Sequence, residues 1–250
     1  MSRPIDPITL SVVRGVLETT QREMTVTLEK TARSSVFNLA HDYSNALFNH
    51  RPEMILQGQD IPIHLGSLIP AMKSVARFFE GDIHEGDLIL HNDPAFGGSH
   101  AIDTCMYKPV FYKGKLVYWT VCKGHLTDIG GPVPGTENAT ALEVFGEGLI
   151  IPPVKLYDRG RYNDALIGLI TANVRLPQQL EGDLAAMINV FEVGRRGLEA
   201  LNITDARLKE IGMEGFASPL KLSCADHSGG NQVFVHQWDG TKWVFTSDWI

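Results

Sequence analysis

Histidines and aspartates are concentrated in one glycine-rich stretch of the chain, residues 91–131. Within it, His100 and Asp103 lie three residues apart, and His125 follows a long run of strand-forming residues. Imidazole nitrogens combined with carboxylate oxygens suit Zn, Mn or Fe better than Ca or Mg. The stretch therefore has the residue types of a transition-metal site, although a pattern as short as His-x-x-Asp also recurs by chance.

A β-hairpin is predicted to position these side chains. Residues 104–122 contain two runs rich in Val, Tyr, Phe, Thr and Trp, and Lys113-Gly114 between them suits a two-residue turn. A turn centred there sets Asp103 opposite Gly124 and beside His125. We expect two imidazoles and at least one carboxylate to converge at the open end of the hairpin. The alternative is a polar hairpin end whose histidines bond only to the backbone.

Size and charge exclude several classes of protein. The 250 residues can bury a proper core, and the net charge of −7 disfavours a nucleic-acid binder that works by neutralising phosphates. The first residues lack the apolar core of a signal peptide, and no run of eighteen apolar residues occurs. We therefore expect a cytoplasmic protein that does not associate with membranes.

The three cysteines are odd in number and form no C-x-x-C motif. They fit neither a disulfide framework nor a cysteine-based zinc site. The hairpin register given above pairs Cys105 with Cys122 across the two strands. We interpret both as small strand residues in a reducing compartment.

The rest of the chain predicts a mixed α/β (α+β) fold, in which a hairpin-rich, metal-bearing core is packed by long amphipathic helices. A weak shift in composition near residue 160 divides a core, 1–160, from a helical segment that leads into strands, 161–250. The second part is expected to continue the same fold. The predicted helices cover 7–33, a segment starting near Pro70, 163–173, 177–201 and 204–211, and the further strands cover 43–48, 54–57, 87–90 and a hairpin near the end of the chain.

Five motifs in order resemble the hydantoinase B family: DIPIHLGS, HNDPAFGGSHAIDTCMYKPVF, KGHLTDIGG, EGLIIPPVKLY and NVRLPQQLEGDL. That family includes one half of ATP-dependent 5-oxoprolinase and the metal-bearing subunits of acetone and acetophenone carboxylases. The resemblance extends over residues 7–200. Members are usually more than twice as long, so the chain is expected to match only their N-terminal part, as a split gene, a truncated form or a partial product.

The resemblance implies a set of metal ligands. The histidine and aspartate of GGSHAID are His100 and Asp103, the histidine of KGHLTD is His125, and a carboxylate before the first strand is Asp42. These four would bind one divalent transition metal, Zn, Mn or Fe. Members that act on ketones tend to have Glu at the last position, so Asp42 favours the cyclic-amide branch.

The family divides its chemistry between subunits. The resemblance implies a hetero-oligomer in which a hydantoinase A-type partner binds ATP and Mg and phosphorylates the substrate, while the subunit described here completes hydrolysis of a cyclic amide at its metal. The absence of a G-x-x-x-x-G-K-[ST] motif agrees with ATP binding elsewhere. The alternatives are the equivalent subunit of an ATP-dependent ketone carboxylase and a non-catalytic scaffold.

Two further residues are candidates for catalysis. Asp128 follows His125 by three residues and could orient that imidazole or act as general base, or it could cap the turn at Gly130-Gly131. His64 lies among apolar residues, where it either faces the substrate or is a buried histidine bonded to backbone. Arg175 stands at a helix start and could meet an anionic intermediate or serve as a cap.

Overall fold

The computed structural model describes residues 7–58, 60–200, 235–238 and 243–247. Its centre is a seven-stranded antiparallel sheet with the strand order β2-β1-β5-β4-β3-β6-β7. Helices accompany this sheet, which confirms the predicted mixed α/β class. The strands are β1 (Tyr43–Asn49), β2 (Met54–Gln57), β3 (Leu88–His91), β4 (Asp103–Tyr112), β5 (Lys115–His125), β6 (Val154–Asp158) and β7 (Arg161–Tyr162).

Both faces of the sheet are buried. Alternate residues of a strand point to opposite faces, so Met106 and Cys122 pack in one apolar cluster while Cys105 and Trp119 pack in another. The first cluster includes side chains of α1 and α5, and the second includes side chains of α3. Helices on both sides explain why most residues of β4 and β5 are buried, as in other strands that are covered on both faces.

The part of the chain that the structure describes contains five α-helices: α1 (Pro7–Thr31), α2 (Ser35–Asn38), α3 (Pro62–Phe78), α4 (Asp164–Thr171) and α5 (Pro177–Ala200). The prediction that the third helix starts near Pro70 is wrong, because α3 begins at Pro62 and contains Pro70. A proline inside a helix destabilises it by roughly 3 kcal/mol, whereas proline is tolerated in the first turn, so local propensity favours a helix that starts near Pro70. Burial of Leu68, Met72 and Val75 on one side of α3 offsets that cost. Within the described residues, none of the helices combines the length and the apolarity that crossing a bilayer requires.

The central hairpin has a different register from the predicted one. A β-bulge after Val110 shifts the pairing, so Asp103 lies directly opposite His125. The predicted register is therefore wrong by one residue, and Cys105 and Cys122 lie on opposite faces of the sheet instead of facing each other. Since a slip of one residue reverses the direction of every side chain, the bulge places Asp103 and His125 on the same face.

The chain separates into two compact units, residues 1–216 and 217–250. In the first unit α5, which follows the boundary predicted near residue 160, packs against α1, which precedes it. The predicted boundary itself stays a prediction. In the second unit β8 (Val235–Trp238) and β9 (Trp243–Ser247) pair antiparallel, as predicted. The predicted helix 204–211 lies outside the described residues.

Candidate metal centre

One end of the sheet carries polar side chains on the face covered by α3. Residues two apart in a strand share a face, so Lys123 and His125 of β5 lie on the side of Trp119, which packs with α3. Asp103, at the start of β4, is opposite His125. Asp42 precedes β1 and accepts a backbone hydrogen bond from His125 N at 3.0 Å. Three neighbouring strands therefore place their polar residues at one point.

The distances among these side chains fit a metal ion. His125 Nδ1 lies 3.1 Å from Asp103 Oδ1 and 3.8 Å from Asp42 Oδ2, and His100 Nε2 lies 3.4 Å from Asp103 Oδ2. A tetrahedral ion with bonds of about 2.1 Å separates its ligand atoms by about 3.4 Å. The ligand atoms of His100, Asp103 and His125 all lie within 4.8 Å of one another. These three residues can therefore supply two nitrogens and one oxygen to one ion, and Asp42 contacts this group through His125.

A tight turn ahead of β4 brings His100 to Asp103. Asp103 N donates a hydrogen bond to His100 O at 3.0 Å, which closes the turn predicted from their spacing. Before it, Gly97 has a φ of 91°, and a Cβ there would lie 2.6 Å from Ala71 N of α3. Only glycine permits both this backbone conformation and this close approach to α3.

His64, in the first turn of α3, also reaches this cluster. Its side chain is buried, and Nε2 lies 3.3 Å from Asp103 Oδ2 and 3.5 Å from Asp42 Oδ1. Its Nδ1 is buried without a hydrogen-bond partner among the described residues. The imidazole therefore faces the two carboxylates, where it can hold or move a proton, rather than bonding to backbone.

Lys123 is fully buried beside the cluster and is not among the residues predicted from the sequence. Its Nζ donates to Ser67 Oγ at 2.7 Å and to Ser99 Oγ at 2.5 Å, and lies 3.3 Å from Asp103 Oδ2. Two hydrogen bonds and one ion pair thus hold the ammonium group. Lysine is rarely buried, so its residue type does not predict this position. Its place two residues before His125 in a strand does predict that the two side chains share a face.

The charges at the centre shift the acidity of its groups. Burial alone would raise the pKa of Asp103, but hydrogen bonds from His125 and His64 and the charge of Lys123 outweigh it, and its pKa lies far below the usual range. Burial likewise disfavours protonated His125, yet the hydrogen bond and charge of Asp103 raise the pKa of that imidazole above its ordinary value. Asp103 is therefore ionised, as a metal ligand must be.

Asp128 lies in a loop next to the cluster and has other partners. One carboxylate oxygen accepts from Gly130 N at 2.7 Å, and the other pairs with Arg175 Nη1 at 2.9 Å. These contacts are those of a turn cap and a loop anchor. The same loop carries Glu137, whose Oε1 lies 3.8 Å from Nε2 of His125.

The chain is similar in sequence to a known protein family and to one of its members. The family model described as hydantoinase B/oxoprolinase matches residues 6–207. Caprolactamase subunit beta of Pseudomonas jessenii is 69% identical over 194 residues, which are 78% of this chain and 33% of that protein. The chain thus spans about a third of the length of this relative.

Two solved structures are similar to the fold. The crystal structure of ATP-dependent caprolactamase from Pseudomonas jessenii superposes with a TM-score of 0.80 at 63% identity, covering 85% of this chain and 37% of that one. Acetone carboxylase in a nucleotide-free structure gives a TM-score of 0.78 at 21% identity, covering 84% of this chain and 28% of that one. At this lower identity the second match shows a shared fold alone.

Proposed function

Because the chain belongs to the hydantoinase B/oxoprolinase family, we propose that it is the metal-bearing part of a subunit in an ATP-dependent cyclic-amide hydrolase. The observation that carries this proposal is the convergence of Asp42, His100, Asp103 and His125 on one face of the sheet. The 69% identity with caprolactamase subunit beta favours a lactam as the substrate class. Activity belongs to a larger assembly, since the chain spans about a third of that relative.

The donor set of two imidazoles and two carboxylates suits one divalent ion of Zn, Mn or Fe. When bound, such an ion polarises a carbonyl-type oxygen or lowers the pKa of a bound water towards neutrality. We assign His64 the transfer of a proton at Nε2, the atom that faces both carboxylates. Asp128 as general base stays a prediction, and its contacts with Gly130 and Arg175 favour the turn cap.

We propose that ATP supplies the energy for opening a stable amide ring. We propose that a hydantoinase A-type partner transfers a phosphoryl group to the amide oxygen, which turns that oxygen into a leaving group. One water then adds to the amide carbon at the centre described here, and the ring C–N bond breaks as the nitrogen takes a proton, which leaves an acyl phosphate. A second water hydrolyses this acyl phosphate to the carboxylate and inorganic phosphate. The similarity to caprolactamase subunit beta, which by its name is one subunit of several, supports a hetero-oligomer of this kind.

Metal binding is the first test. The purified protein, reconstituted with its partner subunits, should retain about one equivalent of a divalent transition metal by elemental analysis, and His100→Ala and His125→Ala should lose it. His84→Ala is the matched control, because His84 pairs with Asp82 and lies outside the cluster. Absence of bound metal from the unmutated complex would refute the site.

The reaction class is the second test. Lactam should stimulate ATP hydrolysis in the reconstituted complex without any requirement for bicarbonate, since hydrolysis of an amide needs no carbon dioxide donor. Stimulation by a ketone that depends on bicarbonate would instead identify a carboxylase. A complex that binds metal but shows no substrate-stimulated ATP hydrolysis with either compound would support the scaffold alternative.

A further inference from the structure

Both backbone polar groups of Asp42 are hydrogen-bonded, although this residue lies outside a strand. Asp42 N donates to Val36 O at 3.1 Å, and Asp42 O accepts from His125 N at 3.0 Å. The preceding residue, His41, has a φ of 56°, which is the left-handed region that residues other than glycine rarely occupy. Such a conformation persists only where surrounding contacts enforce it.

Glu29 of α1 contacts both residues that flank Asp42. The hydroxyl of Tyr43 donates a short hydrogen bond to Glu29 Oε1, and His41 Nδ1 lies 3.0 Å from the same oxygen. Tyr43 is 2% exposed and belongs to the apolar cluster on the α1 side of the sheet. The carboxylate of Glu29, on the opposite face of the sheet from the proposed metal centre, therefore contacts the residue before and the residue after the proposed ligand Asp42.

Successive side chains in an extended segment point to opposite faces of the sheet, which explains how the contacts of Glu29 affect the proposed metal centre. Tyr43 points towards α1, so the adjacent Asp42 points towards α3, where its carboxylate meets His64 and His125. A rotation of the backbone at Tyr43 would turn Asp42 away from the centre. The contacts of Glu29 oppose that rotation from the far side of the sheet.

We propose that Glu29 is a positioning residue for Asp42, and that α1 thereby controls the geometry of the metal centre. This inference rests on the proposed metal-dependent function, because it assigns Asp42 as a ligand. The ordinary alternative is that Glu29 only helps α1 to pack on the sheet. The two differ in whether its effect on metal affinity passes through Asp42.

The experiment measures Zn²⁺ affinity by competition with a chromophoric chelator. Glu29→Ala should weaken binding about 10-fold, the low end of what loss of a group that orients a metal ligand causes. Glu29→Gln keeps an oxygen that accepts from Tyr43, so it should weaken binding less than Glu29→Ala does. Tyr43→Phe, which removes a single hydroxyl, should fall between these two variants. Glu23→Ala, on an exposed position of the same helix, should leave the affinity unchanged.

A double-mutant cycle separates positioning from packing. In an Asp42→Ala background, which keeps three ligands, Glu29→Ala should cause no further loss of Zn²⁺ affinity. An equal loss in both backgrounds, as a loosened fold would cause, overturns the inference, and so does unchanged affinity in Glu29→Ala. Failure of the unmutated protein to bind Zn²⁺ refutes the proposed function itself, which makes the two failures distinguishable.

Discussion

Replacing Lys123 with methionine tests how strongly the buried ammonium stabilises the fold around the proposed metal centre. Its Nζ lies 3.3 Å from Asp103 Oδ2, and both side chains are fully buried. Two unit charges at that distance attract each other by about 5 kcal/mol at an effective dielectric constant of about 20. Removing one partner of a buried pair leaves the other uncompensated and costs about 3–5 kcal/mol.

The expected loss is large enough to measure by thermal unfolding. For a protein of about this size each kcal/mol lowers Tm by about 2–4 °C, so Lys123→Met should lower Tm by roughly 6–20 °C. Circular dichroism in the presence of a chelator records the metal-free protein. Lys115→Met, an exposed position on the same hairpin, is the matched control and should change Tm by less than about 2 °C.

A second variant shows whether the loss arises from Asp103. Because Asp103→Asn removes the charge that Lys123 compensates, the double variant should lose less stability than the sum of the two single variants. A fall in Tm no greater than that of Lys115→Met would refute the reasoning. Additivity of the two single variants would refute it equally, because the two side chains would then not interact.

Three further outcomes are expected. Burial and the charge of Lys123 lower the pKa of His91 to about 4. In the unfolded chain this imidazole has a pKa near 6.5, so it takes up a proton more readily there than in the folded protein. The contribution of His91 to stability is therefore full above pH 6.5 and falls by about 3 kcal/mol as the pH drops to 4. Urea midpoints should record this slope and His91→Gln should flatten it; equal slopes contradict the assignment. Zn²⁺ at about 100 times its Kd should add about 2.7 kcal/mol, or about 5–11 °C in Tm, and a similar rise in His100→Ala would contradict the site. Asp128→Asn should speed amide exchange in residues 129–136 without weakening Zn²⁺ binding; lost turnover with unchanged exchange would instead favour a general base.

The helices α1 and α5 and the β4–β5 hairpin could be predicted from sequence because their signals are local. Apolar spacing, strand propensity and the Lys113-Gly114 turn each act over a few neighbouring residues. The order of the motifs identified the family, which the comparisons confirm. The hairpin predicts that His100, Asp103 and His125 lie near its open end, but the bulge after Val110 decides that Asp103 and His125 share a face.

Errors arose where distant contacts decide the local structure. The bulge after Val110 shifts the register by one residue, and Pro70 is accepted inside α3 because one side of that helix is buried. Neither effect is visible in local propensity. The burial of Lys123 needs partners from two separate segments, Ser67 in α3 and Ser99 with Asp103 at the start of β4, so its neighbours in sequence do not predict it.

The sequence by itself determined the family and the residue types of the proposed centre, because ligand chemistry and motif order are properties of the letters. Only the tertiary structure decided how those residues meet. Sheet pairing sets Asp42 beside His125, and α3 brings His64 over both carboxylates. The physical reason is that side-chain direction in a strand depends on register, and register depends on the packing of the whole sheet between its helices.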